Sequence, residues 1–178
     1  MCSVFYLNPQ MAKDIDFFKR GKYGLHIRKF LLLPEFWSDP TKQIKIKSSD
    51  WKCVSFDLKN KTRVSSNKGL YAFVLKPSYP GLFETNYLLY IGKTNRTLQE
   101  RFVEYIKEKD GKNKYRFLVK EMLQLYEGHI YFYFSELTST EDIDLFEEIL
   151  LNTFVPFVNT EIPEAKINDE LKYIYKSF

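Results

Sequence analysis

From Gly69 onward, hydrophobic and polar residues follow one another in blocks that predict regular secondary structure. The apolar runs Leu70–Leu75 and Tyr87–Ile91 are short and end at a Lys-Pro pair and at a glycine, so each predicts a β-strand. The segment 76–86 between them contains two prolines and a glycine, which is typical of a hairpin-type loop. We therefore expect the two strands to lie side by side and antiparallel.

Three segments after this hairpin have helical patterns. Thr97 and Glu100 have the spacing of a capping box, which predicts a helix that runs to about Lys109. Further helices are predicted over residues 114–126 and 140–154, each followed closely by a glycine or a proline. The segment 129–134 lies between them and is apolar on both faces, which predicts a covered strand.

The patterns before Gly69 are weaker. Met11–Lys19 is a candidate for a short helix, and Ile44–Lys47 alternates as a half-buried strand does. Trp51–Leu58 is a further strand candidate, and the polar segment 59–68 is interpreted as a linker or a long turn.

The elements from Gly69 follow the order β-β-α-α-β-α. This order predicts an α/β (α+β) fold with a small, mainly antiparallel three-stranded sheet flanked by helices. We divide the chain into a basic N-terminal extension (1–68), a compact domain (69–160) and a C-terminal helical tail (161–178).

Composition narrows the class of protein. The chain has 178 residues, 44% of them hydrophobic and 17% aromatic, which suffices for a real core in one domain. Its two cysteines do not have metal-ligand spacing, and its longest apolar runs are too short to span a bilayer. The N-terminus has no signal-peptide pattern. We expect a cytoplasmic protein that is not embedded in a membrane.

The net charge of +4 hides an uneven distribution. Residues 1–68 contain 14 basic and 6 acidic residues, and residues 93–120 contain 9 and 4, whereas residues 121–178 contain 3 and 12. A polyanion would be attracted to the first two segments and repelled by the third. The alternative is that the lysines only solvate the surface, and charge alone does not separate the two interpretations.

Several polar residues near the hairpin are suited to phosphate chemistry. Tyr71 and Tyr90 lie in the paired strands and can point from one face, either as reacting phenols or as an ordinary cross-strand aromatic pair. Gly92 leaves room for a backbone or a phosphate to come close. Lys93 and Thr94 add a cation and a hydroxyl near the start of a helix, where free amides attract anions.

The predicted helices carry further candidates. Arg101 and Tyr105 are four residues apart and share a helix face. Arg101 presents a planar fork that fits a phosphate, although it could also be a surface charge paired with Glu104. Glu147 and Glu148 lie among apolar residues, where a carboxylate needs a partner such as a divalent cation, unless both acids simply face water.

The order and spacing of these residues resemble the GIY-YIG nuclease superfamily. Two departures are conservative: Leu70 stands where the name motif has Ile, and Tyr105 stands where many members have His and others Tyr. In chain order, the matching positions are Gly69-Leu70-Tyr71, Tyr90-Ile91-Gly92, Arg101, Tyr105, Glu147 and Asn159.

The resemblance implies a metal-dependent DNA endonuclease that leaves a 5′-phosphate and a 3′-hydroxyl. Glu147, and not Glu148, would hold one Mg²⁺ (or Mn²⁺) per active site. Tyr71 would accept the proton of the attacking water, its phenol kept acidic by the metal and by Lys93. Arg101 would neutralise charge that develops on the phosphoryl oxygens.

The remaining residues would orient, bind or support. Tyr90 and Tyr105 would orient the water, the base or the phosphate, and Gly69, Gly92 and Asn159 would have structural roles near the site. DNA would be the partner, and a homodimer is left open. The nucleic-acid-binding candidates are Lys93, Thr94, Arg96, Lys19, Arg20, Lys22, Arg28 and Lys29.

A restriction or defence enzyme is the favoured biological role, with a repair or mobile-element nuclease as an alternative. Two other classes remain: a nucleic-acid-binding module that has lost hydrolysis, and a structural or partner-binding protein. The complete set of Tyr71, Tyr90, Arg101 and Glu147 argues against lost activity.

Overall fold

The computed structural model describes residues 50–77, 83–112 and 116–161, together with residues 26, 30–32, 34–37, 169 and 173. The predicted helix Met11–Lys19 and the predicted strand Ile44–Lys47 lie outside the described residues. So does the predicted C-terminal tail, apart from Glu161, Asp169 and Tyr173.

The described strands form one four-stranded sheet: β1 (Trp51–Ser55), β2 (Gly69–Leu75), β3 (Tyr87–Thr94) and β4 (Ile130–Glu136). The strand order is β1-β4-β2-β3, and every neighbouring pair is antiparallel. The predicted fold class is confirmed, and the strand candidate Trp51–Leu58 is present as β1, which joins the three strands predicted from Gly69 onward in one sheet. That strand, β1, belongs to the segment interpreted as an extension and covers the otherwise open edge of β4.

The described helices are α1 (Pro34–Trp37), α2 (Leu98–Lys109), α3 (Phe117–Leu125) and α4 (Thr140–Phe154). Short 3-10 helices cover Leu58–Arg63 and Phe157–Glu161. The capping box before α2 is confirmed, because Thr97 Oγ1 accepts from the Glu100 amide at 3.0 Å and Glu100 Oε2 accepts from the Thr97 amide at 3.1 Å. None of the helices in the described ranges combines the length and the hydrophobicity that a membrane span requires.

The sheet is packed on both faces. Helices α2 and α3 cover one face, called here the α2 face, and α4 covers the opposite one, the α4 face. Because successive side chains of a strand alternate between faces, neighbouring residues of β2 enter different cores. Buried residues on the α2 face include Tyr71, Phe73, Tyr90, Phe102, Tyr105 and Phe132, and those on the α4 face include Leu70, Ala72, Ile91, Ile143, Phe146 and Leu150.

Strand β3 is an edge strand that follows the hairpin loop and leads into α2. Its α2 face meets the aromatic core, and its α4 face meets α4. Side chains from both layers can therefore reach the region around this strand, which contains the motif Tyr90-Ile91-Gly92.

Candidate active site

Tyr71 lies in β2 directly opposite Gly92 of β3, and its ring is packed within the α2 face. It stacks on Phe132 with a centroid distance of 5.4 Å and on Tyr90 with a centroid distance of 6.2 Å. Its side chain is 1% exposed. The ring is thus a core element as well as a candidate for chemistry, so the two interpretations of the sequence coexist in one residue.

The guanidinium of Arg101 joins the phenols of this face. Its Nε donates to Tyr71 Oη at 3.0 Å, and its Nη2 donates to Tyr105 Oη at 3.3 Å. The two phenolic oxygens are themselves 2.9 Å apart. Three of the predicted catalytic residues therefore form one hydrogen-bonded cluster.

Glu104 orients Arg101 from the same helix. Its Oε2 accepts from Arg101 Nη1 at 2.9 Å, and its two oxygens also accept from both Nη atoms of Arg96, at 2.6 and 2.9 Å. Burial raises the pKa of Glu104, but the two arginines outweigh this and hold the pKa below its usual range. Glu104 is a charged anchor that the sequence indicated only as a surface partner of Arg101.

Tyr90 has an arginine partner that the sequence motifs do not contain. Arg116, just before α3, donates from Nη1 to Tyr90 Oη at 3.2 Å. Its guanidinium is paired with Glu108 of α2, whose Oε2 lies 3.0 Å from Arg116 Nη2. A signal existed, because an acid beside the aromatic stripe of α2 requires a partner, but the sequence does not say which arginine approaches it.

The protonation state of the phenols follows from their burial. Burial raises the pKa of Tyr71 well above its usual range; the neighbouring phenols of Tyr105 and Tyr90 raise it further, and Arg101 only partly opposes them. Burial likewise raises the pKa of Tyr90, with Arg116 and Arg101 opposing. Both phenols are neutral near pH 7 in the protein without metal or substrate.

This direction differs from the expectation that Lys93 keeps the Tyr71 phenol acidic. Lys93 follows Gly92 in β3, so it lies on the α4 face, while the Tyr71 ring lies on the α2 face. The cation that contacts the Tyr71 hydroxyl is Arg101. Strand alternation, which separates adjacent residues, is the physical reason for the difference.

Lys93 instead forms a second charged group with α4. Its Nζ lies 2.8 Å from Asp144 Oδ1 and 2.8 Å from Glu147 Oε2. Burial lowers the pKa of Lys93, but both carboxylates raise it and the net shift is upward. Glu147 is thus part of a charge cluster on the α4 face, whereas the predicted tyrosines and Arg101 lie on the α2 face.

The donor set around Glu147 is compatible with a hard divalent cation. Mg²⁺ keeps several waters and needs only one or two carboxylates, which Glu147 and Asp144 can supply. The described residues contain no cluster of three or more His, Cys, Asp or Glu that would form a complete protein cage. Glu148, the alternative ligand, is exposed on α4, which favours Glu147 of the two acids.

Asn159 supports the edge strand. Helix α4 ends at Phe154 and is capped by Val155, whose left-handed backbone (φ 41°) reverses the chain toward the 3-10 helix that carries Asn159. Asn159 Oδ1 accepts from the Ile91 amide at 2.9 Å, and its Nδ2 donates to the Ile91 carbonyl at 2.6 Å. Gly69 has a different constraint, because a Cβ there would lie 2.0 Å from the Ser135 carbonyl oxygen.

The nucleic-acid-binding candidates have different surroundings. Arg96 is exposed and paired with Glu104, whereas Thr94 is 6% exposed and its hydroxyl accepts from the Arg96 amide at 3.2 Å. DNA contact by these residues and by Lys93 stays a prediction. The remaining candidates, Lys19, Arg20, Lys22, Arg28 and Lys29, lie outside the described residues.

Comparison with protein-family models gives a match to the GIY-YIG catalytic domain over residues 67–161. The matched range contains β2, β3, β4 and α2–α4. It therefore includes the cluster around Arg101 and the group that Lys93 forms with Asp144 and Glu147. No curated protein and no solved structure gives a significant match.

Proposed function

Because the chain belongs to the GIY-YIG family, a nuclease family, we propose that it is a divalent-metal-dependent endonuclease that hydrolyses phosphodiester bonds in DNA. The family match covers more than half of the chain. The proposal extends from the family to a particular substrate, a particular cofactor and particular residues.

The observation that carries the proposal is the fixed position of Arg101. Its guanidinium is held by Tyr71, Tyr105 and Glu104, yet 24% of its side chain remains exposed. A guanidinium that is oriented before the substrate arrives can stabilise charge on a phosphate without reorganisation. Burial lowers the pKa of Arg101, but its interactions with the phenols raise the pKa by more than burial lowers it. Arg101 therefore stays charged at any working pH.

We infer that the two groups on opposite faces act on one ester at edge strand β3. Gly92 faces the Tyr71 ring, and the next residue, Lys93, pairs with Glu147. A phosphate lying along this edge would meet Arg101 from one layer and Glu147 from the other. Glu147, with Asp144 close by, would hold Mg²⁺ or Mn²⁺, one ion per site, which when bound supplies Lewis-acid stabilisation of the leaving 3′-oxygen.

In hydrolysis, a water oxygen forms a bond to phosphorus while the bond from phosphorus to the 3′-oxygen breaks, and the departing 3′-oxygen takes up a proton from solvent. The water must lose a proton, and we assign Tyr71 as its acceptor. A neutral phenol cannot take this proton, so Tyr71 must ionise before the step, and Arg101, whose Nε donates to the Tyr71 oxygen, stabilises the resulting phenolate. Tyr90 and Tyr105 orient the reacting groups.

The direct test is plasmid cleavage with Mg²⁺, followed by gel electrophoresis. We expect the wild type to nick or linearise plasmid, and Arg101→Ala and Glu147→Gln each to lower the cleavage rate by about 10²-fold or more. Glu148→Gln is the matched control for Glu147→Gln, because it makes the same change one residue away on an exposed position. Arg63→Ala is the matched control for Arg101→Ala, because it removes an arginine at an exposed position.

Equal cutting by all variants would assign the activity to a contaminant and overturn the proposal. DNA binding without cutting would favour the class of inactive nucleic-acid-binding modules instead. An RNA substrate of the same sequence in a parallel reaction would show whether the activity is confined to DNA.

For the biological role we propose restriction or defence, supported by a nuclease domain that follows a basic segment whose charge would attract DNA. We also propose a cytoplasmic location, where the two cysteines would remain reduced thiols. Challenge of cells expressing the protein with foreign DNA would test the role: unchanged plating efficiency relative to Glu147→Gln cells would contradict it.

A further inference from the structure

The α2 face contains a second chain of hydrogen bonds from tyrosine through arginine to glutamate. In the first chain, Arg101 connects Tyr71 to Glu104. In the second, Arg116 connects Tyr90 to Glu108. Glu104 and Glu108 are four residues apart on α2, so the two anchors lie one helical turn from each other.

Glu108 fixes Arg116 tightly. The carboxylate is buried and its Oε1 accepts from the Arg116 amide at 2.8 Å and from Arg116 Nε at 3.3 Å, while Oε2 accepts from Nη2 at 3.0 Å. A buried ion pair contributes little net stability, because both charges lose their hydration. Its clear consequence here is geometric: the guanidinium fork is held in one orientation against Tyr90.

The two arginines share Tyr105 as a neighbour. The guanidinium carbon of Arg101 lies 4.7 Å from the Tyr105 ring centroid, and that of Arg116 lies 5.0 Å from it. Both distances are within the range of cation–π interactions. The ring of one predicted catalytic residue therefore contacts two positively charged forks, and the arginine missed by the sequence motif is nearly as close to it as the one that the motif contains.

The charge balance of this cluster is suited to an anion. Arg96, Arg101 and Arg116 are paired with two carboxylates, Glu104 and Glu108, which leaves an excess of positive charge. The Arg116 side chain is 35% exposed, compared with 24% for Arg101, so it is at least as accessible to a ligand as the arginine of the motif. The backbone of a nucleic acid presents adjacent phosphates that two such forks could contact together.

We propose that Arg116 is a second phosphate-binding arginine of this site, which holds the Tyr90 hydroxyl and contacts a phosphate adjacent to the one that Arg101 contacts. This inference rests on the proposed nuclease function for its substrate class. It assigns a role to a residue that lies outside the tyrosine, arginine and glutamate positions that match the family motifs.

The test uses the full chain and a short DNA duplex whose binding is followed by fluorescence anisotropy in Ca²⁺ at several salt concentrations. Arg116→Ala would leave Glu108 buried without its partner, so the informative variant is the double change Glu108→Gln with Arg116→Gln. This double variant leaves the net charge unchanged. The matched control is Lys52→Gln with Glu136→Gln, which removes an ion pair of 3.2 Å between β1 and β4 in the same way.

Loss of one phosphate contact should reduce the slope of log K against log salt by about 0.9 in the Glu108/Arg116 variant. The Lys52/Glu136 control should keep the wild-type slope. Arg116→Lys retains the charge but not the planar fork, so it should keep most of the slope and still cut DNA at least about tenfold more slowly than wild type. Thermal unfolding of each variant verifies that it is folded.

The outcomes separate this inference from the proposed function. If the wild type cuts DNA and the Glu108/Arg116 variant matches it in both slope and cleavage rate, Arg116 has no such role and the nuclease function stands. If the wild type binds DNA without cutting, the nuclease function fails and the slope alone still decides the role of Arg116. A wild type that neither binds nor cuts DNA overturns both.

Discussion

The Tyr71 ring lies directly against Gly92, so closely that a Cβ built on Gly92 would be 2.6 Å from the Tyr71 hydroxyl oxygen. The two residues face each other across β2 and β3. Glycine at this position is thus required by the position of a phenol, and not by an unusual backbone conformation. Gly92 of β3 and Tyr71 of β2 therefore form one packing unit.

We predict that Gly92→Ala lowers the cleavage rate by about tenfold or more and the free energy of unfolding by about 1–3 kcal/mol, as overpacking does in a full core. The Tyr71 ring cannot move freely, because Phe132 and Tyr105 pack against it. The displaced hydroxyl would lose its contact with Arg101. Cleavage kinetics and urea unfolding would measure the two effects.

Gly128→Ala serves as the control for this change. Gly128 has a left-handed φ of 83°, and a Cβ there would meet no atom within 4 Å. Alanine should therefore cost about 1 kcal/mol through backbone strain alone and leave cleavage by the folded protein unchanged. Cleavage at the wild-type rate by Gly92→Ala would show that the Tyr71 position is not critical.

Replacing Asn159 with alanine should destabilise the edge strand. The amide and the carbonyl of Ile91 would both lose a buried partner, at about 1–3 kcal/mol for each group left unsatisfied. We expect a loss of about 2–6 kcal/mol in the free energy of unfolding, measured by urea titration. Asn152→Ala on α4, whose Nδ2 bonds the Glu148 carbonyl near the surface, should change it by less than about 0.5 kcal/mol.

The raised pKa of Tyr71 gives a signed pH dependence for cleavage. If Tyr71 must lose its proton to act as base, the reactive fraction increases as pH rises toward that pKa. The value of kcat/KM should therefore increase by about tenfold per pH unit between about pH 6 and 9. Duplex affinity measured in Ca²⁺ over the same range provides the correction for binding, and a flat corrected profile would exclude Tyr71 as the base.

Lys93 should compete with a divalent cation for the acids of α4. Removing its charge in Lys93→Gln leaves Asp144 and Glu147 without the ammonium that lies 2.8 Å from each. We predict tighter Ca²⁺ binding, seen as a larger increase in Tm on addition of Ca²⁺ than in wild type. In Glu147→Gln this increase should be lost, whereas chelation by EDTA should return each protein to its metal-free Tm.

The opposite order, with the smaller Ca²⁺ shift in Lys93→Gln, would indicate that Lys93 positions the carboxylates for the metal. Equal shifts in wild type and Glu147→Gln would remove Glu147 as a metal ligand. Glu148→Gln, a neighbouring exposed acid on the same helix, should shift as the wild type does.

The basic extension should contribute to DNA affinity through its charge. We predict that replacing Lys19, Arg20 and Lys22 with glutamine weakens duplex binding and reduces its salt dependence by about 0.9 in slope for each lost phosphate contact. The full chain must be used, because β1 at 51–55 completes the sheet and a cut before Gly69 would remove it. Unchanged affinity and slope would assign the extension to folding alone.

The order of elements from Gly69 onward could be predicted from the sequence because each depends on local signals. The capping box that starts α2 and the apolar runs of β2 and β3 are examples, and these motifs also indicated the family. The pairing of Arg101 with Glu104 was likewise visible, since residues three apart on a helix are neighbours.

The sequence by itself determined which residue types are present and which of them share a strand or a helix face. Only the tertiary structure decided which of those faces meet. Arg116 reaches Tyr90 from 26 positions away, and Lys93 lies beside Glu147 and not beside Tyr71. Both results depend on how strands pair and which face each helix covers, because contacts between distant residues arise from packing that local patterns do not encode.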